Sequence, residues 1–417
     1  MSATEPDPAV GVFAHKAFVH LLGGRLGATF ATQIQSVVVG WQVYALTHDP
    51  LSLGYVGLAQ FLPMVALSLP AGDLADRMER RLLLACSWVL QALASALFVT
   101  LTLLDADVAP FYGVLVLFGL ARAFAGPAMQ SFLPHVVPEE QLPKAIAWNS
   151  SAFQMAVIAG PALGGGIYLL GPQVAYTVCC GLFLSAAASV FTIAVRRRPE
   201  PPPAGTGAFQ RFTAGIAYVR HQPIVLGAIS LDLFAVLFGG ATALLPVYAH
   251  EILHVGPGGL GALRSAIAVG AFLTGIYLGQ RSLGRHAGRT MFACVALFGA
   301  ATLVFALSSS FFLSLGALAV AGAADMVSVY VRSTLIQVVT PDAMRGRVSA
   351  VNMLFIGASN ELGEFESGVT AAWFGTVPAV VIGGLGTLGV VGLWMWLFPA
   401  LRRVDRLSEL SPRSPAA

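Results

Sequence analysis

Apolar segments of about twenty residues, separated by short polar loops, make up most of this sequence. They lie at about 17–46, 52–71, 82–104, 109–133, 145–170, 173–195, 223–249, 258–280, 290–308, 311–337, 349–375 and 378–400. A membrane-crossing helix needs roughly 20 apolar residues. Only 10% of the residues are charged, against about a quarter in soluble domains, so the chain cannot cover a water-facing surface. The sequence therefore predicts an all-α integral membrane protein with twelve transmembrane helices.

Basic residues are distributed unevenly along the loops. Of the 23 lysines and arginines, four lie inside predicted spans; all others fall in the tails, the central loop or the loops after even-numbered spans. The positive-inside rule then predicts a cell-membrane protein with both termini in the cytoplasm. The cations would face anionic lipid of the inner leaflet, so the net charge of +3 does not indicate a nucleic-acid partner.

A proline-rich segment divides the chain into two halves. The sequence predicts an N-terminal six-helix bundle over 1–195, a cytoplasmic linker over 196–222, and a C-terminal bundle with its tail over 223–417. The stretch "AFQRFTAGIAYVRHQ" places its apolar side chains on one face. This pattern predicts a short helix lying along the inner membrane surface.

The two halves resemble each other in sequence. Residues 136–165 align with 338–368 and match Gly160 with Gly363 and Gly165 with Gly368; "VYA" occurs at both 43–45 and 247–249. Parallel six-helix repeats with a substrate site between them are a transporter architecture. We therefore expect two parallel repeats around a central cavity.

The segment "AGDLADRMERRLLL" at 71–84 resembles the signature loop of the major facilitator superfamily. The matching residues include Gly72, Asp76, Arg77, Arg80 and Arg81, whereas Glu79 stands where the family has a second glycine. The resemblance covers essentially the whole chain and assigns these residues to a conformational switch. Glycine at position 72 would permit a sharp turn there.

A second motif resembles the fifth-helix pattern of exporters in this superfamily. "AVIAGPALGG" matches it at Gly160, Pro161, Gly164 and Gly165, although ordinary glycine packing between helices gives the same pattern. The region "GRVSAVNMLFIGASNELGEFESG" is similar to the enterobactin-exporter branch, whose relatives include macrolide-efflux carriers. The resemblance implies export of a small amphipathic molecule, such as a siderophore or a macrolide-like drug, by alternating access. The buried carboxylates described below favour protons as the coupling ion. We expect a monomer with no cofactor, whose partners are its substrate, protons and the lipid bilayer.

Four predicted spans carry a charge at depth, which costs roughly 2.5–3.5 kcal/mol each on insertion scales. These charges are Arg25, Arg122, Asp232 and Asp325, on spans 1, 4, 7 and 10. The repeat relates Arg122 to Asp325 and Arg25 to a position near Asp232. We expect these to form two ion pairs across the cavity; pairing of each charge within its own half is the alternative.

Two further acidic candidates lie on span 11. Helical periodicity places Glu361 and Glu364 in one arc of about 100°, with Glu366 pointing nearly the opposite way. A buried carboxylate of this kind can carry a proton. Bonding to Arg345 or Arg347 to lock a cytoplasmic gate is an equal alternative.

Two other functions compete with transport. "HEILH" at 250–254 fits the zinc-protease pattern H-E-x-x-H, but it falls at the end of span 7 with no third-ligand motif. A sensor or scaffold that does not transport differs from a carrier only in lacking substrate flux. No phosphate-binding G-x-x-x-x-G-K-[ST] segment occurs, so the energy would come from an ion gradient rather than from ATP. We therefore predict a transporter and not an enzyme.

Overall fold

The computed structural model describes residues 11–193, 208–281 and 285–405, and within these ranges it contains helices and no strands. The long helices are numbered here to match the predicted spans. They are α1 Lys16–Thr47, α2 Pro50–Arg77, α3 Arg80–Leu103, α4 Val108–Phe132, α5 Leu142–Tyr168, α6 Pro172–Phe191, α7 Pro223–Phe238, α8 Gly256–Gln280, α9 Ala287–Leu307, α10 Phe311–Val339, α11 Asp342–Phe374 and α12 Thr376–Leu397. The linker helix is Ala208–His221.

Nine helical segments of the described chain are long and apolar enough to cross a membrane. The other three long helices are α1, α5 and α11. They pack among these nine segments, contact helices of the opposite half and line the central cavity. A helix surrounded by protein needs fewer apolar side chains than one surrounded by lipid. The all-α membrane fold is confirmed, and the number of twelve crossings stays a prediction.

Each half packs mainly within itself, and two helix pairs join the halves. α3 packs on α4 and α6 in the first half, and α10 packs on α8 and α9 in the second; α2 crosses to α11 and α5 crosses to α8. Residues 194–207, which hold most of the predicted linker, lie outside the described ranges. The predicted domain boundaries therefore stay predictions.

The two joining contacts use glycine in equivalent places. A methyl group on Gly57 of α2 would lie 3.2 Å from the Glu361 carbonyl of α11, and one on Gly261 of α8 would clash with the Pro161 carbonyl of α5. Glycine lets two helix backbones approach closely. Both contacts lie toward the face of the bundle opposite the described chain ends, here called the distal face; the other is the terminal face.

The signature segment is more helical than the sequence indicated. α2 continues to Arg77 and α3 begins at Arg80, leaving only Met78 and Glu79 between them. The sharp turn expected at Gly72 is wrong, because Gly72 lies inside α2. The chain reverses at Met78, whose N–H bonds the Leu74 carbonyl and ends the helix.

The seventh span is broken. Its helix ends at Phe238, and the chain continues through short turns to a π-helical segment at Tyr248–Ile252. A methyl group on Gly240 would lie 2.6 Å from the Gly363 carbonyl of α11, and Pro246 lacks a backbone donor. The predicted span 223–249 holds as one candidate crossing, Pro223–Ile252, whose helix is interrupted after Phe238.

The linker helix packs on protein. Its buried Tyr218 and Val219 join a cluster with Ile336 and Val348, and the Tyr218 hydroxyl donates to the Val339 carbonyl at 3.2 Å. The ends of α10 and α11 cover part of its apolar face, and the predicted position along the inner membrane surface stays a prediction.

A polar contact fixes the chain after α12 to the start of α9. The Asp405 carboxylate accepts the His286 N–H at 2.8 Å and lies 3.5 Å from Arg285 Nε. The pKa of Asp405 is lowered, first by the His286 backbone N–H and then by the charges of His286 and Arg285. The contact therefore favours the ionised carboxylate.

This contact predicts an acid-sensitive contribution to stability. Because the folded pKa lies below the unfolded value, the contribution is complete above the unfolded value and is lost as the pH falls through the folded one. Asp405→Asn should reduce the dependence of thermal unfolding on pH in the acid range. Asp342→Asn, which removes another exposed carboxylate, controls for the change in net charge. An unchanged acid dependence in Asp405→Asn would contradict the assignment.

Candidate functional site

A cavity of about 510 Å³ lies between the two halves. Its walls come mainly from α1, α3 and α4, with contributions from α2, α5, α8 and α11. The charged side chains that line it are Arg25, Arg122, Arg264, Glu361 and Glu364. The neutral polar side chains are Thr29, Thr32, Gln33, Gln35, Ser36, Gln60 and Gln91, and the aromatic ones are Trp88, Phe118 and Phe153. A wall of this mixed kind suits an amphipathic molecule.

Arg122 is the charged residue with the clearest contacts across the cavity. Its Nη1 atom lies 3.0 Å from Gln60 Oε1 on α2 and 3.7 Å from Glu361 Oε1 on α11. The arginine therefore has an amide partner in its own half and a carboxylate partner in the other. The predicted ion pair between Arg122 and Asp325 is wrong, because the carboxylate that Arg122 contacts in the other half is that of Glu361.

Glu361 and Glu364 both line the cavity, as the helical spacing predicts. A methyl group on Gly57 of α2 would lie 2.9 Å from the Glu364 carboxylate and 3.2 Å from the Glu361 carbonyl. The two acids thus lie at the closely packed crossing of α2 and α11. Glu366 lies apart from them and accepts a hydrogen bond from Thr370 at 2.9 Å.

The alternative of bonding to loop cations is wrong for these acids. Arg345 pairs with Asp342 at 2.7 Å, and Arg347 contacts Met344. Both arginines lie near the start of α11, several helical turns from Glu361. Their cations therefore cannot reach the two glutamates in this conformation.

The remaining predicted charges have other partners. Asp232 of α7 forms a buried ion pair with Arg332 of α10, inside its own half, so the predicted pair with Arg25 is wrong. Arg25 instead lies over the ring of Phe153, 5.3 Å from its centroid. For Asp325, no cation in the described ranges lies within ion-pair distance.

Sequence reasoning did not select Arg264, although it is one of four cations inside predicted spans. It extends from α8 across to α1, where its Nη1 donates to Ser36 Oγ at 2.6 Å. It also lines the cavity beside Glu364. Its depth in an apolar span was the signal that should have identified it.

The fifth-helix motif lies where α5 crosses two other helices. A methyl group on Gly160 or Gly164 would meet Gln33 or Ile34 of α1, and one on Gly165 would clash with the Pro257 carbonyl of α8. The motif therefore sits on the joining contact between the halves. Its glycines serve helix packing, which is compatible with either of the two interpretations of the motif.

Only part of the signature segment can be described at the level of side chains. Arg80 contacts the ring of His135, and Arg81 pairs with Glu79 at 2.9 Å and donates to the Ile193 carbonyl at 3.0 Å. These contacts join the start of α3 to the ends of α4 and α6. The surroundings of Gly72 and the side chains of Asp76 and Arg77 lie outside what the structure describes.

Aromatic and imidazole rings close the distal face. The His250 ring lies 5.5 Å from Trp41, 5.8 Å from Tyr44 and 5.7 Å from His48 between ring centroids. The Tyr44 hydroxyl donates to the Glu251 carboxylate. These contacts join the end of α1 to the π-helical segment that follows α7.

The same contacts explain the "HEILH" motif without a metal. Its glutamate is bonded to Tyr44, and His254 Nδ1 contacts the His250 carbonyl. Within the described ranges, no group of three or more His, Cys, Asp or Glu side chains could hold a metal ion. The motif therefore belongs to the packing of the distal face.

Comparison with known proteins gives relatives along almost the whole chain. The enterobactin exporter EntS of Citrobacter koseri is 24% identical over 401 residues, covering 93% of both chains. The multidrug efflux pump Tap of Mycolicibacterium fortuitum is 26% identical over 404 residues, covering 93% of this chain and 97% of the relative.

Solved structures show the same fold at low identity. A bacterial homologue of the human lysosomal transporter Spinster, in an inward-facing and unoccupied conformation, has a TM-score of 0.71 at 13% identity and covers 94% of this chain and 97% of its own. The nucleoside transporter NupG has a TM-score of 0.73 at 13% identity, covering 92% and 100%. The sequence profile of the Major Facilitator Superfamily matches residues 21–364. This chain therefore belongs to the Major Facilitator Superfamily and is a multi-pass membrane transporter rather than an enzyme.

Proposed function

We propose that this protein exports a small amphipathic molecule by alternating access, driven by a proton gradient. The observation that carries the proposal is the position of Glu361 and Glu364, which line the central cavity opposite Arg122. Two relatives, EntS and Tap, are named as exporters. Siderophores and macrolide-like drugs are the proposed cargo classes.

The coupling follows from the charge of Glu361. In its ionised form it attracts Arg122 from the other half, at 3.7 Å. A proton on the carboxylate removes that attraction, because a neutral acid offers only a hydrogen bond. Loss of a charge contact between the halves favours their relative movement, which opens one face and closes the other. Arg25, Asp325 and the signature residues Gly72, Asp76 and Arg77 remain candidates for roles in this movement.

We propose that the terminal face is cytoplasmic and that the protein works as a monomer in the cell membrane. The arginine distribution supports this orientation. Cysteines introduced at Asp107 or Ser309, in distal loops, should react with an impermeant reagent added outside intact cells, whereas one at Glu140 should not. The reverse pattern would contradict the orientation.

Export from cells that lack their own pumps tests the function. Siderophores, macrolides and fluorescent dyes would be screened with and without a proton uncoupler, and we expect at least one compound whose export the uncoupler abolishes. In vesicles, Glu361→Gln and Glu364→Gln should lose the stimulation of export by an imposed pH gradient while cargo exchange persists. Glu366→Gln, on the other side of α11, is the matched control and should keep the stimulation.

Two results would contradict the proposal. One is the absence of flux for every compound class, which would favour a sensor or scaffold. The other is gradient-driven export that persists unchanged when both Glu361 and Glu364 are glutamine. The second result would retain a transporter but remove the two acids from coupling.

A further inference from the structure

Gln60 contacts Arg122, the arginine that has partners in both halves of the protein. Its side-chain oxygen accepts from Arg122 at 3.0 Å, whereas the Glu361 carboxylate lies farther away, at 3.7 Å. Gln60 Nε2 donates to the Val56 carbonyl at 3.3 Å, which fixes the orientation of the amide. The amide therefore presents its oxygen, and not its nitrogen, to the arginine.

The backbone at this position is also held in place. A methyl group on Gly119 of α4 would lie 2.6 Å from the Gln60 carbonyl and 2.9 Å from its Cα. This close approach brings α2 and α4 together just before Arg122, which is on the next turn of α4. Gln60 and Arg122 thus move together as one unit of the first half, whereas Glu361 belongs to the second.

We infer that Gln60 is a positioning residue that competes with Glu361 for Arg122 and so sets the pH at which Glu361 exchanges its proton. This inference rests on the proposed function of Glu361. When Glu361 is protonated or the halves separate, Arg122 keeps a hydrogen-bond acceptor in its own half.

Other charged groups also influence the proton exchange of Glu361, and they are the same in the wild-type protein and in the Gln60 variants. They are Glu364 on its own helix, Arg264 from α8 and Arg25 from α1, which line the same cavity. Asp232 of α7 is engaged with Arg332. Gln60 differs from these groups because it acts only through its hydrogen bond to Arg122.

The inference predicts opposite effects for two substitutions. Gln60→Glu gives Arg122 a permanent carboxylate partner and adds a negative charge near Glu361, so Glu361 should keep its proton to higher pH. Gln60→Leu removes the competing acceptor, so Arg122 should turn to Glu361, which should then lose its proton at lower pH. We expect shifts of about one pH unit each way, a tenfold change in proton concentration.

Infrared spectroscopy of the purified full-length protein in liposomes measures this without a cargo. The carbonyl band of protonated Glu361 is identified by its loss in Glu361→Gln, and its intensity is followed against pH. The double variant Gln60→Glu with Glu361→Gln identifies any band from the new acid. Gln42→Leu, which removes a buried amide bonded to Thr102 at 3.0 Å outside this cavity, should leave the midpoint unchanged.

Shifts in opposite directions support the positioning role, since a purely structural role of Gln60 predicts no such pattern. The positioning role is overturned if the protonation midpoint of Glu361 is unchanged in both Gln60 variants, or if it moves in the same direction in both. A Glu361 band that never titrates also overturns it, and with it the proposed coupling. Opposite shifts in a protein whose export ignores the pH gradient would instead leave the Gln60 role standing and remove proton coupling from the proposed function.

Discussion

Asp232→Ala is expected to destabilise the protein by about 3–5 kcal/mol, because it leaves Arg332 buried without its carboxylate partner. Both side chains are almost inaccessible, with exposed fractions of 3% for Arg332 and 8% for Asp232. Their pair joins α7 to α10 inside the second half. Thermal unfolding of the purified protein in detergent should show a correspondingly large loss, together with reduced amounts in the membrane.

A double substitution separates this structural role from a role in transport. Asp232→Leu with Arg332→Met replaces the pair by apolar side chains of similar size, which is often neutral or stabilising. We expect the double variant to recover stability and to export cargo. A stable Asp232→Ala protein would contradict the structural role, and a stable double variant without export would return Asp232 to the coupling candidates.

Gly165→Ala should prevent the distal face from closing. The added methyl group would clash with the Pro257 carbonyl and approach Gly258 Cα at 3.1 Å, and neither backbone atom can move without separating α5 from α8. Overpacking of this kind costs about 1–3 kcal/mol, which changes a population by roughly tenfold for each 1.4 kcal/mol. We expect a large fall in export from a protein that still folds.

The measurement is access to the cavity from the distal face. In a variant without its native cysteines, a cysteine at Val39 should react several-fold faster with an impermeant maleimide when Gly165→Ala is present. Gly166→Ala is the matched control, because a methyl group at the neighbouring glycine meets nothing within 4 Å. Equal labelling of the two variants would contradict closure through this contact.

The residues that share one face of a helix could be predicted from the sequence, whereas ion-pair partners that depend on how two helices pack could not. The shared face of Glu361 and Glu364 follows from helical periodicity, and the structure places both in the cavity. Repeat matching also located the glycines of the joining contacts. The partners of Arg122 and Asp232 could not be derived, because they depend on how α4 and α11, or α7 and α10, cross.

The break in the seventh span shows the same limit. An apolar run predicts a continuous helix, although Gly239, Gly240 and Pro246 inside this one are signals for a turn. The interruption follows Phe238, where Gly240 packs directly against the backbone of α11. The apolar pattern alone does not show that contact.

The glycine contacts between the halves also have the form of a self-complementary dimer interface. Each half supplies one helix start, at Gly57 or Gly261, and one receiving helix, α11 or α5. In a two-fold dimer, one surface patch meets its own copy in this reciprocal way. A six-helix unit with both features is therefore complementary to a second copy of itself. Such an interface does not need the linker: residues 1–195 and 208–417, expressed as separate chains, should assemble in the membrane, and failure to co-purify would show that the covalent connection is required.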